Sequence, residues 1–536
     1  MVLSRRVVLG TAIGGGLALS SPRQPVAQGS APVAITNTGL VRGATDGGIH
    51  VFKGIPYGAS TGGEGRFRPP AAPAPWSGVR DALAFAPMCP QVVRSLPEIF
   101  SSWTFDKDMS EDCLALNVWT PALADGAKRP VMVWFHGGDF SSLSGSRNVF
   151  DGTRLARKGD VVVVTVNHRL NLFGYLQLAQ FAPEYADAGN VGLLDLVQAL
   201  GWVRDNIASF GGDPGNVTIF GQSGGGGKVS CLMAMPAAAG LFHRAVVQSG
   251  SYYLEAMSPD ASSALTRKLL ATLELSPSEA GKLASLPAEV LIAGMEKAQK
   301  TSGGLNFRPV ADGRALPSGP WVPGAPEVSR NVPLLVGTVA TEMTLLTGGG
   351  DPAAFTLDEA GLRERLLRWF EPGDIDRVLA TFRETWPDAT PGDLFFAIET
   401  DLRMRQGAWQ QAGRKAAQGG APVWLYEVDW RTPVGGGKWK TPHSVELAFV
   451  FDNVAKSASM VGTGAEPQAL ADQMSASWLA FARSGNPDNP VVPHWPAYTD
   501  GDRATMVFDV TSRVVNDHRG AERKLLAGLS LKQTSL

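Results

Sequence analysis

Val217-Thr218-Ile219-Phe220-Gly221-Gln222-Ser223-Gly224-Gly225 is a run of apolar and β-branched residues that ends in a serine with glycine on either side. A serine on a sharp turn from strand to helix is held exposed in a strained backbone conformation, and side chains at Gly221 and Gly225 would strike the neighbouring strand and helix. The chemistry such an elbow can do is nucleophilic attack on a carbonyl. Residues 226–235 read as a helix whose free N–H groups and positive end face any oxyanion beside Ser223. Hydrolases with this elbow place an acid and then a histidine after the serine, and the histidines that follow Ser223 are His243, His443, His494 and His518. His243 lies just behind the elbow with no acid between, His494 sits among prolines and His518 in a polar tail. His443 follows a strand and a glycine-rich loop, the place for a positioned base, and is the candidate.

These residues need a scaffold, and the chain supplies one in order. Val131 to Phe135 is apolar throughout, as a central strand should be, and runs into His136-Gly137-Gly138-Asp139-Phe140. Glycines there let backbone N–H groups approach a ligand, which makes this a candidate oxyanion loop; an ordinary glycine turn is the alternative. Glu111 to Trp119 and Val161 to Val166 add strands, Leu193 to Phe210 has amphipathic helical spacing, and the elbow strand follows. Short strand-like pieces at Leu40–Gly43, Val51–Tyr57 and Arg66–Pro70 suggest an antiparallel edge. Later strands are expected at 332–337 and 422–428, helices across 357–418 and 466–483, and a hairpin near the carboxyl end. This order suits an α/β fold with a mostly parallel sheet, helices on both faces and helical insertions. No repeat, low-complexity linker or break follows residue 32, so residues 32–536 are expected to be a single domain.

The chain is 44% hydrophobic and carries a formal charge of −2, with nothing that suggests nucleic-acid binding. Its amino end, Ser4-Arg5-Arg6-Val7-Val8-Leu9 followed by an apolar run to Leu19, looks like a twin-arginine export signal over residues 1–30. That run is shorter than the roughly 20 residues needed to span a bilayer, so export to the periplasm or beyond, without a stable membrane span, is the expectation. An oxidising exterior would allow Cys89 to pair with Cys113, with Cys231 free; three reduced, buried thiols are the alternative.

Several blocks together resemble the type B carboxylesterases, the α/β-hydrolase family that includes cholinesterases and bacterial para-nitrobenzyl-type esterases. They are Gly54-Ile55-Pro56-Tyr57, Arg66-Phe67, Ser110 to Leu114, His136-Gly137-Gly138, Asn167-His168-Arg169, Phe210 to Pro214, Phe220 to Ser223, Gln248-Ser249-Gly250 and His443 to Glu446. The resemblance implies a serine carboxylesterase acting on a small-molecule ester. It places the triad acid at Glu342, in the loop after an apolar strand, with Asp312 the runner-up. Ser223 would attack the ester carbonyl, His443 would carry the proton and Glu342 would fix the imidazole, with no metal or cofactor required. By the same resemblance the N–H groups of Gly138, Asp139 and Gly224 hold the oxyanion, Gln222, Ser249 and Glu446 stand behind the triad, and Arg66–Glu111 and Arg169–Asp195 are paired. Related activity on carbamates, lactones or lipid esters would use the same triad, and a silent binding relative would lack the serine.

Three positions, Gln222, Asp139 and Lys228, depart from the family pattern. Gln222 stands where a glutamate is usual, which weakens the case for a quaternary-ammonium ester. Trp103, ten residues before Cys113, has the spacing of the choline-contacting tryptophan of cholinesterases; it and Phe140 are candidate substrate contacts, with loop packing the alternative for Trp103. Asp139 replaces a glycine or alanine and would repel an oxyanion unless turned away or paired. Lys228, five residues past Ser223, is its expected neighbour.

Overall fold

The computed structural model describes residues 31–93, 95–105, 108–301, 305–317 and 319–532, and the expected export signal over residues 1–30 lies outside them. Fourteen strands occur among the described residues: β1 (Val33–Thr36), β2 (Gly39–Arg42), β3 (Ala44–Asp46), β4 (Ile49–Pro56), β5 (Val79–Asp81), β6 (Ala115–Thr120), β7 (Arg129–Phe135), β8 (Val162–Val166), β9 (Gly212–Gln222), β10 (Arg244–Gln248), β11 (Leu334–Val339), β12 (Val423–Val428), β13 (Thr505–Phe508) and β14 (Arg513–Val515). Eleven of them form one sheet in the order β14-β13-β12-β11-β10-β9-β7-β8-β6-β4-β3. The stretch from β13 to β8 is parallel, and the pairings at both ends are antiparallel.

The continuous apolar runs are explained by burial on both faces. Along β7, Val131, Val133 and Phe135 enter one core while Met132 and Trp134 enter the other. The first core is closed by the helix Val191–Asn206 and by Gly224–Leu232, the second by the helix Glu466–Ser484. A third apolar cluster gathers helices between Met343 and Thr400, the expected helical insertion.

One expectation is corrected, and one is not met in this structure. Arg66–Pro70 forms no strand: Phe67 turns at φ 62° to bury its ring, and Arg66 turns to Glu111, with its Nε 2.7 Å from Oε2. The Cys89–Cys113 bridge is absent from this form, in which all three cysteines are buried free thiols. A hydrogen bond with Cys89, together with burial, holds the Cys113 thiol well above its ordinary pKa, so the thiolate that would start a bridge is suppressed. Arg169 and Asp195 form the expected pair, a buried bidentate one at 2.9 and 2.6 Å. No helix among the described residues is long and apolar enough to cross a membrane.

Candidate active site

After β7 the chain goes to β8 on one side and then to β9 on the other. The loops leaving β7 and β9 therefore part at the carboxyl edge of the sheet and open a crevice there. Ser223 directly follows β9 with φ 57° and ψ −128°, a conformation that strongly disfavours a side chain, and its N–H is held by the carbonyl of Gln248 at 2.8 Å. The flanking glycines are required by close approach. A Cβ at Gly225 would lie 2.0 Å from the carbonyl oxygen of Phe135, and one at Gly221 would lie 2.4 Å from the carbonyl carbon of Gly225.

Glu342 follows β11 and is fully buried. Its Oε1 accepts hydrogen bonds from Ser249 Oγ at 2.6 Å and from the N–H of Val339 at 3.0 Å, while Oε2 lies 2.5 Å from His443 Nδ1. A carboxylate here accepts a hydrogen bond from Nδ1–H, which leaves the Nε2 lone pair free for other donors. In this form that donor is Gln222 Nε2, 3.1 Å away, whose own Oε1 accepts from Ser444 Oγ at 3.2 Å. Ser223 Oγ is 3.3 Å from the Tyr252 hydroxyl. Ser223 and His443 line one cavity of about 470 Å³, with Tyr252 and Trp103 among its walls.

The loop after β7 turns at Gly138, φ 80°, whose carbonyl accepts from the N–H groups of Ser141 and Ser142. The N–H groups of Gly138 and Asp139 have no acceptor among the described residues, and Gly224 is the first residue of its helix, where the N–H is free. Lys228 fixes this loop from below. Its ammonium donates to the carbonyls of His136 and Asp139, both at 2.9 Å, and stands 5.5 Å over the Phe140 ring. Burial pulls the Lys228 pKa down to about 7. Asp139 and Lys228 are thus neighbours, but the lysine grips the backbone carbonyl and not the carboxylate. Burial pushes the Asp139 pKa up, against the pull of Arg308 and Lys228, and its Oδ1 is buried without a partner. A carboxyl held towards its neutral form repels an oxyanion less.

Residues 30–525 match the family model for the carboxylesterase family. The chain belongs to that family. It is 36% identical to the para-nitrobenzyl esterase of Bacillus subtilis over 92% of this chain and 98% of that one. It is 32% identical to a phenmedipham hydrolase of Pseudarthrobacter oxydans, over 91% and 97% of the two chains. A solved carboxylesterase of Geobacillus stearothermophilus superposes with a TM-score of 0.80 at 40% identity, covering 92% of this chain and 99% of its own. The protein is a carboxylic ester hydrolase of the α/β-hydrolase fold.

Other expected positions of the esterase fall as follows. Glu446 is fully buried, and burial with the charge of Glu342 pushes its pKa up to about 8. Trp103 lines the cavity and also donates Nε1–H to Ser457 Oγ at 3.1 Å, so it packs and faces the cavity at once. Phe140 does not: its ring is sealed against Tyr175 and Tyr253. Asp312 caps its own turn through the N–H groups of Arg314 and Leu316. His243, His494 and His518 are engaged with Val217, Asp488 and Glu427, away from the serine. Sequence reasoning missed Tyr252, although an aromatic pair just past Gln248-Ser249-Gly250 at a strand end was a usable signal. It also missed Arg147, which nothing in the local pattern marks.

Proposed function

We propose that Ser223 is the nucleophile of this esterase, His443 its general base and acid, and Glu342 the group that orients and stabilises the imidazole. The observation that carries the reading is the strained Ser223 backbone at the end of β9, opening on the same cavity as a histidine whose Nδ1 is 2.5 Å from a buried glutamate. Ser223 Oγ adds to the ester carbonyl as His443 Nε2 takes its proton; the tetrahedral oxyanion is held by the N–H groups of Gly138, Asp139 and Gly224. Collapse expels the alcohol, protonated by His443, and water then repeats the sequence to free the acid and restore the serine. For attack, Ser223 Oγ exchanges its contact with Tyr252 for one with His443, and Gln222 releases Nε2.

Hydrolysis of para-nitrophenyl acetate, butyrate and octanoate tests this. Turnover that disappears in Ser223→Ala supports it, and a folded Ser223→Ala variant with undiminished turnover overturns it. Residues 1–30 are read as a twin-arginine leader that exports the enzyme. Replacing both Arg5 and Arg6 by lysine should leave the enzyme in the cytoplasm, and unchanged export would refute the leader. In the exported protein Cys89 and Cys113 would be oxidised to a disulfide, expected as one free thiol on titration after denaturation, where three would refute it.

A further inference from the structure

Six arginines are buried among the described residues, and five of them pair with carboxylates: Arg66, Arg129, Arg169, Arg405 and Arg519. The sixth, Arg147, has none. It is 3% exposed, and its Nε and Nη2 are buried without a hydrogen-bond partner. Its guanidinium stands 5.0 Å from the Phe105 ring and 6.0 Å from the Trp103 ring, contacts that ease a buried cation without satisfying its donors. It lines the cavity that holds Ser223 and His443, and also the adjoining cavity of about 710 Å³. Asp139 lies in the same wall but forms no ion pair with it. Burial lowers the Arg147 pKa only to about 10, so the group is cationic at neutral pH.

A buried, charged and unpaired guanidinium is costly, and a carboxylate at the cavity wall would offset its charge, with two-point hydrogen bonding once the occluded Nε–Nη2 edge turns towards the cavity. The other two arginines of this wall are already occupied, Arg308 stacked on Tyr253 at 4.8 Å and Arg403 paired with Glu399 at 3.1 Å. A cationic ester would meet the guanidinium beside the face of Trp103 and be repelled.

We propose that Arg147 is a substrate-recognition residue and that the preferred esters carry a free carboxylate, as monoesters of dicarboxylic acids or esters of hydroxy acids do. The proposal rests on the ester-hydrolase reading of this cavity. The substrate carboxylate is a spectator: water cleaves the acyl–oxygen bond, and the products are the acid and the alcohol.

Two matched pairs test it, mono-4-nitrophenyl adipate against its methyl ester, and 4-butyryloxybenzoate against 4-butyryloxybenzamide, placing the anion on the acyl or on the alcohol side. The readout is the ratio of kcat/KM for anionic over neutral ester, which cancels any general loss from misfolding. The wild type should favour the anion by at least about tenfold in one pair, with the ratio falling towards one in Arg147→Leu and only partly in Arg147→Lys. A wild-type ratio near one in both pairs, or a ratio that Arg147→Leu leaves unchanged, overturns the anion site while the triad stands. No turnover of any of the four esters by folded enzyme would overturn both readings.

Discussion

The cavity of this esterase has two walls built on opposite plans. One comes from the strand ends of the sheet and carries Ser223, Glu342 and His443. There Glu342 is matched by Ser249, Val339 and His443, and Gln222 by His443 and Ser444. The other comes from the loop after β7 and from the segment around Trp103, and it keeps a buried arginine and a buried carboxylate oxygen without partners. The contrast separates two tasks. On the proposed mechanism, groups that must hold a fixed geometry through the reaction are saturated by the protein, whereas the group proposed to recognise a ligand keeps its capacity for it.

The largest effect should come from breaking the saturated wall. Glu342→Gln keeps the shape but lets an amide face His443 Nδ1, so the imidazole loses its preferred tautomer. A fall in kcat of about 10³- to 10⁴-fold is expected, as in serine hydrolases altered at the equivalent acid, with KM little changed. A loss under tenfold would mean that the histidine is oriented by something else.

Glu446 lies behind that wall, a fully buried carboxyl beside the charge of Glu342. Its folded pKa of about 8 lies above the ordinary 4.5, so between those values the unfolded chain binds fewer protons than the folded one. This group's contribution to stability therefore falls as pH rises from about 4.5 to 8 and is level above that. Glu446→Gln should remove the decline, raising stability at pH 8 relative to pH 5 by on the order of 3 kcal/mol against the wild type. Denaturant unfolding at the two pH values measures it, and equal effects at both would show that Glu446 is already ionised when folded.

Lys228→Met tests the floor under the oxyanion loop. Without the ammonium, the carbonyls of His136 and Asp139 lose their shared donor and the donors above them drift. A misplacement of this kind costs about 10- to 100-fold in kcat, with the smaller change in KM. A change confined to KM would make Lys228 a substrate-binding feature instead.

How far the sequence could be read follows the same division. The elbow strand, β7, β8 and β11 were visible because strands buried on both faces carry long runs of apolar and β-branched residues. Ser223 was visible because its neighbours must be glycine. His443 was separated from three other histidines by its place after a strand and a glycine-rich loop, and those three do bond elsewhere. Arg66–Pro70 misled because charged and aromatic side chains alternate before two prolines, as on an edge strand, while a positive φ at Phe67 breaks it. Arg147 could not be found at all. A lone arginine in a polar loop looks solvated, and only the packing of Trp103 and Phe105 around it makes it a buried, unpaired charge.

The smallest expected effect lies where the walls meet. Gln222 Nε2 donates to the His443 lone pair that, on the proposed mechanism, accepts the serine proton, so one hydrogen bond has to be exchanged before attack. Ser444 Oγ holds the far end of the amide and keeps it there. Gln222→Met fills similar space and offers no donor, so Nε2 is left for Ser223. A net hydrogen bond of about 1 kcal/mol corresponds to roughly a fivefold gain in kcat/KM towards a neutral ester. Glu342→Gln should abolish that gain, because the lone pair released by Gln222→Met is useful only while Nδ1 carries the proton. Additive effects of the two substitutions would instead mean that Gln222 acts on the substrate wall and not on the base.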